Sequence, residues 1–152
     1  MSQRMLCVQP DLLEPLKQKS ILLIEDMADV RETMQTLLEI WGYQVETAED
    51  GMQGLMRAVT LKPSIAIVDI GLPKMSGLEV ARRIRKSCGL EGMLLIALTG
   101  FSCPSDRGRS LEAGFDAHFI KPVAIDVLAS VLAERRNHPA CQAGRARQAA
   151  CI

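Results

Sequence analysis

Five side chains of this 152-residue sequence could do chemistry together: the adjacent acids Glu25 and Asp26, the acid Asp69, the Thr99 hydroxyl and the Lys121 ammonium. Each group ends a short apolar run: SILLI before Glu25, SIAIV before Asp69, MLLIAL before Thr99 and AHFI before Lys121. If those runs are parallel strands of one sheet, all five groups converge at its carboxyl edge. Crowded carboxylates repel unless a cation lies between them. An all-oxygen ligand set suits a hard ion, and Mg²⁺ in particular keeps several waters and accepts phosphate oxygens. With its charge cancelled, one carboxylate can act as a nucleophile towards phosphorus. Phosphoryl transfer then needs little beyond in-line placement and neutralisation of the equatorial oxygens. Mg²⁺, Lys121 and Thr99 would supply that neutralisation, and Gly100 has no side chain to block approach.

Each residue also has a plainer role. Glu25 or Asp26 alone could cap a helix, and Asp69 could simply open a loop. Lys121, before Pro122, could be a surface lysine, and Thr99 a turn former. Two other chemistries use related parts. A Mg²⁺-dependent phosphohydrolase with an aspartyl phosphate would want a second acid two residues after Asp69, where Gly71 stands. A flavin-binding module would want a hydroxyl- and glycine-rich loop after the first strand. Glu25-Asp26-Met27-Ala28 is its electrostatic opposite.

The elements that must position these groups alternate along the chain. Strands are expected at 20–25, 43–48, 64–69, 93–99 and 117–120, because their apolar runs suit burial on both faces. Between them run helical patterns. Val30, Met34, Leu37, Leu38 and Trp41 form one stripe of a 3.6-residue period, ended by Gly42. Asp50 can cap a helix carrying the apolar residues Met52, Leu55, Met56 and Val59, closed by Pro63. Ser76 can cap a helix with Leu78, Ala81 and Ile84 inward and Arg82, Arg83, Arg85 and Lys86 outward. A weaker helix is expected over 104–114, where Gly108 costs stability. Ile125, Leu128, Val131 and Leu132 stripe the last helix. Five such βα units imply an α/β fold, a doubly wound parallel sheet with helices on both faces. Ligands of such sheets bind outside the carboxyl ends of the strands, where strand order reverses.

Composition narrows the class. The sequence is 48% apolar and 24% charged, as expected of a globular protein, with no apolar run long enough to span a membrane. The first 19 residues carry charges and prolines where a secretory signal needs an apolar core, so a cytoplasmic location is expected. Residues 21–134 hold 11 Lys/Arg against 16 Asp/Glu, whereas Arg135, Arg136, Arg145 and Arg147 follow with no acid. That tail reads as a solvated basic end, and neither nucleic-acid nor membrane binding is expected. Cys7, Cys88, Cys103, Cys141 and Cys151 form no metal-ligand spacing and read as reduced thiols. The expected organisation is an N-terminal extension at 1–19, a domain at 20–135 and a short basic tail at 136–152.

The segments LLIEDMADVRETMQTLLE, IAIVDIGLPKMSGLEVARRIR, LIALTG and EAGFDAHFIKPV together resemble the receiver domains of bacterial two-component response regulators, from about Ser20 to Glu134. The resemblance implies a flavodoxin-like five-stranded sheet of order 2-1-3-4-5 with five helices. It makes Asp69 the phosphoacceptor, with Asp26 on Mg²⁺ directly, Glu25 mainly through water, and the Gly71 carbonyl completing the protein's share. Thr99 and Lys121 would contact the phosphoryl group, and Lys121–Pro122 would be a cis peptide. Pro73 and Gly77 match the loop and helix start after the acceptor. Gly71, Gly100 and Phe101 would line access to the phosphoryl group. His118 stands where the family has a switch aromatic that moves with Thr99, and it could titrate near neutrality. The implied partners are a sensor histidine kinase or a histidine phosphotransfer protein, and a downstream protein bound by the helix after Thr99, the fifth strand and the last helix. Only about 18 residues follow that helix, so a single-domain regulator is expected, with a phosphorelay intermediate as the alternative. The chain would catalyse only its own phosphorylation and dephosphorylation.

Overall fold

The computed structural model describes residues 20–100 and 104–137. Strands β1 (Ser20–Ile24), β2 (Gln44–Ala48), β3 (Ile65–Asp69), β4 (Leu94–Thr99) and β5 (Ala117–Ile120) alternate with helices α1 (Ala28–Ile40), α2 (Gly51–Leu61), α3 (Gly77–Lys86), α4 (Pro104–Ala113) and α5 (Ile125–Asn137). All strand pairs are parallel, in the order β2-β1-β3-β4-β5.

Side chains along a strand point alternately to its two faces, and this divides the core. Leu22, Ile24, Ala66, Val68, Leu95 and Ala97 pack with Ala58, Val80, Ala81, Ile84 and Ala113 of α2, α3 and α4. Ile21, Leu23, Ile65, Ile67, Ile96 and Leu98 pack on the other face with Leu38 of α1 and Leu128 and Leu132 of α5. The central strands are thus apolar throughout because both faces are covered.

The expected caps form. Asp50 accepts from the Gln53 amide at 2.8 Å, and Ser76 accepts from the Glu79 amide at 3.3 Å. Gly42 follows α1 with φ +90°, a conformation that favours glycine.

Three expectations about helix faces are corrected. In α2 the buried residues are Gly51, Gly54 and Ala58, while Met52, Met56 and Val59 are exposed. The reason is close approach: a Cβ on Gly54 would lie 2.8 Å from Ile24 Cγ1, so the small residues must face the sheet. The α1 stripe does face inward: Leu38 is fully buried, Met34 and Trp41 pack half-buried against the same core, and Val30 and Leu37 are half-buried. In α5 Ile125 is exposed, just after the turn that leaves β5. In α3 Arg85 is not outward. It donates to the carbonyls of Gly114 at 2.9 Å and Met93 at 2.8 Å, and pairs with Asp116 at 2.7 Å. Asp116 also accepts from the Leu95 amide at 2.9 Å, so this clamp ties α3 to the start of β4 and the entry to β5.

The expected N-terminal extension lies outside the described residues, as do 138–152 of the expected tail, whose first two residues end α5, and Cys7, Cys103, Cys141 and Cys151. Cys88 is exposed and free. No helix among the described residues is long and apolar enough to cross a membrane.

Candidate functional site

Strand order reverses at β1, whose neighbours are β2 on one side and β3 on the other. Their carboxyl ends flank the crevice where such sheets bind ligands. Ile24 pairs with Val68, so one step further along the same register sets Glu25 beside Asp69. On the other side of β3, Asp69 pairs with Leu98, and Thr99 comes next. Thr99 pairs with Ile120, which brings Lys121 to the same edge, and the Lys121 amide donates to the Thr99 carbonyl at 2.7 Å.

Glu25, Asp26 and Asp69 each place a carboxylate oxygen within 4.8 Å of the other two. Glu25 is 1% exposed and Asp69 7%, whereas Asp26 is open to solvent. Lys121 bridges two of the three: its Nζ lies 2.7 Å from Glu25 Oε2 and 3.3 Å from Asp69 Oδ2. Asp69 Oδ1 accepts from the Gly71 amide at 2.9 Å, and Glu25 Oε1 accepts from the Met27 amide at 3.2 Å. Both buried carboxylates are therefore held at both oxygens.

Burial pushes the Glu25 carboxyl above its ordinary range; the Lys121 hydrogen bond opposes this, and the Asp69 charge adds to it. Burial by itself would lower the Lys121 ammonium, but the hydrogen bond to Glu25 and the charges of Asp69 and Glu25 outweigh it, so Lys121 is held above its usual value. A protonated lysine between carboxylates is the charge state the geometry requires. The donor set is all oxygen, clustered and partly open, so these residues could hold a hard divalent cation.

With this geometry in view, comparison with known proteins gives a family. Residues 21–133 match the response regulator receiver domain. The chain belongs to that family. The receiver domain is 35% identical over 108 residues to response regulator MprA of Mycobacterium sp. (strain KMS), covering 71% of this chain and 46% of that protein. It is 29% identical over 117 residues to a gliding motility regulatory protein of Myxococcus xanthus, 76% of this chain and 15% of that one. The chain thus spans less than half the length of these curated relatives. Among solved structures it is similar to a receiver domain protein of Methanospirillum hungatei, at 32% identity and TM-score 0.72, covering 78% of this chain and 94% of that one. It is equally similar to the receiver domain of a histidine kinase from Syntrophus aciditrophicus, at 32% identity and TM-score 0.72, covering 78% and 90%. The receiver domain of this chain is therefore a two-component signalling domain.

The other residues singled out in the sequence fall as follows. Thr99 is buried beside Asp69 at the end of β4. Gly71 is exposed in the loop after Asp69, and the Lys121–Pro122 peptide is cis. A Cβ on Gly100 would meet nothing within 4 Å, so crowding does not require glycine there. Phe101 lies outside the described residues. Gly77 is required by contact: a Cβ would meet the Asp69 carbonyl oxygen and come within 2.8 Å of Ile70 Cα.

His118 is half-buried on β5, with Nδ1 2.9 Å from Ser110 Oγ. The Ser110 hydroxyl donates its one proton to the Asp106 carbonyl at 2.9 Å, so Nδ1–H is the donor to Ser110. Burial lowers the His118 pKa below the usual range; Arg107 lowers it further and Asp106 opposes this.

Two residues at this end of the receiver domain were not picked out from sequence. Ser110 reads there as an ordinary helical serine, and Arg31 as a solvated helix charge. Their signals were weak: Arg31 follows the acidic pair by one helical turn and a half, and Ser110 sits on the otherwise polar α4.

Proposed function

We propose that Asp69 accepts a phosphoryl group from a histidine kinase, with Mg²⁺ held by Asp26 and Asp69 directly, by Glu25 mainly through water, and by the Gly71 carbonyl. The observation that carries this reading is the cluster of three carboxylates within 4.8 Å of one another, two of them bridged by Lys121. Mg²⁺, when bound, supplies cancellation of the negative charge of the carboxylates and the incoming phosphoryl oxygens.

The chain's own residues do the rest. The Gly71 amide and Lys121 fix the Asp69 carboxylate so that an oxygen faces the crevice. That oxygen forms a bond to phosphorus as the donor's P–N bond breaks, and the electron pair leaves with the imidazole nitrogen. Lys121 then contacts a phosphoryl oxygen, and the Thr99 hydroxyl donates to another. The new dianion and its acceptors bias an equilibrium between two conformations of the Thr99–His118 region. Gly71 and Gly100 flank the route of attacking water.

The altered surface is α4, β5 and α5, where Leu111, Ile120 and Val127 are exposed large apolar residues. A downstream protein binding there reads the signal in the cytoplasm, and the receiver domain turns over no external substrate. An apolar groove of about 440 Å³ lined by Val30, Met34, Leu37, Val123 and Leu128 opens beside Lys121 and gives the phosphodonor a surface next to the acceptor. A second reading, in which Asp69 passes its phosphoryl group to a histidine phosphotransfer protein, is favoured by the likeness to a receiver domain that is part of a histidine kinase.

Acetyl phosphate with and without Mg²⁺, followed by intact mass, tests the proposal. One phosphoryl group is expected on the wild type with Mg²⁺ and none on Asp69→Asn. A wild type that binds Mg²⁺ but gains no mass would sink it. Transfer from the phosphorylated chain to a histidine phosphotransfer protein separates the relay from the terminal regulator.

A further inference from the structure

A further cation, Arg31, stands beside the loop that bears Glu25 and Asp26. Arg31 lies in the first turn of α1, with its side chain only 13% exposed. Its Nη1 donates to the Glu25 carbonyl at 2.8 Å and, more weakly, to the Asp26 carbonyl at 3.4 Å. Its Nη2 reaches Glu49 Oε1 at 3.4 Å. One guanidinium thus links the loop that bears the acidic pair to the turn after β2.

The link reaches the carboxylates through a single peptide. A trans peptide is planar, so its carbonyl and amide point in opposite directions. In the Asp26–Met27 peptide the carbonyl turns to Arg31, and the amide on the far side donates to Glu25 Oε1 at 3.2 Å. The other oxygen of Glu25 takes Lys121 at 2.7 Å. Arg31 therefore sets the plane of a peptide whose amide orients the most buried carboxylate of the cluster.

We infer that Arg31 is a positioning residue for the divalent cation: it holds the β1–α1 loop so that Glu25 and Asp26 face Asp69. This rests on reading the cluster as a Mg²⁺ site. Two effects of Arg31 oppose each other, which makes the inference separable from plain electrostatics. As a positive charge, Arg31 repels a second cation. As a fork on two carbonyls, it organises the ligands. A lysine keeps the charge but cannot reproduce the planar, multi-donor fork.

The test is Mg²⁺ titration of the metal-free full chain by calorimetry, for wild type, Arg31→Lys, Arg31→Met and Glu49→Gln, each checked for folding by thermal melting. Removing an orienting partner outside the ligand shell weakens metal affinity about 10-fold or more. Arg31→Lys is expected to bind Mg²⁺ about tenfold more weakly. Arg31→Met should be at least as weak, although it removes a repelling charge. Glu49→Gln, which loosens only the guanidinium's anchor, should weaken binding to a smaller degree and remains informative if Arg31→Met does not fold. Unchanged or tighter binding in folded Arg31→Lys or Arg31→Met overturns the inference. A wild type that takes up no Mg²⁺ would instead remove the metal reading on which it rests.

Discussion

Nδ1 of His118 lies 2.9 Å from Oγ of Ser110, which joins β5 to a fully buried hydroxyl on α4. The pairing has a pH consequence. Burial holds the His118 pKa below its usual value, with Arg107 adding to the effect and Asp106 opposing it. The unfolded chain therefore binds more protons than the folded one between the two pKa values, and stability rises with pH across that window. The contribution is fully present above about pH 6.5, the unfolded value, and is lost as pH falls through the folded one. Denaturant midpoints of wild type and His118→Phe, measured from pH 8 downward, should diverge below about pH 6.5, with the wild type falling faster. Parallel curves would show that His118 does not titrate in the way its burial requires.

Asp26 is the carboxylate with least to lose and most to relieve. It is exposed, and its side chain shares a small space with Glu25 and Asp69. Asp26→Asn should stabilise the metal-free protein by about 0.5–1 kcal/mol, in the range typical of substitutions that relax a functional site. The same variant should lose most of the thermal stabilisation that Mg²⁺ gives the wild type. A destabilised metal-free variant would mean that Asp26 has a structural partner which outweighs the repulsion.

Lys121 has the opposite character. Its ammonium compensates Glu25, which is 1% exposed, so Lys121→Met leaves a buried carboxylate with only the Met27 amide. The loss should be about 1–3 kcal/mol, the usual cost of leaving a buried polar group short of its partner. Because the stranded charge is negative, Mg²⁺ should raise the melting temperature of Lys121→Met more than that of the wild type. Equal shifts would argue that the lysine and the ion do not share the same carboxylates.

The helix faces show where sequence and structure part. The site was legible because each of its groups ends an apolar run, and the first polar side chain after a run buried on both faces marks where the strand leaves the core. Asp69, Thr99 and Lys121 could hardly fall elsewhere once the strands were placed. Helix α2 misled because its richest apolar stripe, Met52, Met56 and Val59, is not its buried one. Packing there is set by backbone approach, and glycine or alanine allows that approach while counting as little in any apolar tally. Arg31 and Arg85 were missed for a related reason. A long cation on a helix reads as solvated until its carbonyl partners are known: for Arg31 the loop just before its own helix, for Arg85 the distant Gly114.

This assignment of α2 predicts an inverted mutational pattern. Met52→Gln and Met56→Gln should each change stability by no more than about 0.5 kcal/mol, as surface substitutions do. Gly54→Ala should cost about 1–3 kcal/mol by overpacking against Ile24. Urea midpoints decide it, and a Met56→Gln variant as damaged as Gly54→Ala would restore the apolar stripe to the core.

Gly77 connects backbone packing to the chemistry most directly. A methyl group there meets the Asp69 carbonyl oxygen and Ile70 Cα, which are backbone atoms and cannot swing aside. The Gly77 amide also donates to the Ile70 carbonyl at 3.1 Å, so the start of α3 lies hard against the end of β3. Gly77→Ala must push α3 away, and the displacement acts on the segment that ends in Asp69. A stability loss of about 1–3 kcal/mol is expected from the overpacking, with slower phosphorylation by acetyl phosphate at a temperature where the variant is still folded. Gly100→Ala is the matched control, since a Cβ there meets nothing within 4 Å, and it should keep wild-type stability. If Gly77→Ala were as stable as Gly100→Ala and as quickly phosphorylated as the wild type, α3 would not be setting the position of the acceptor.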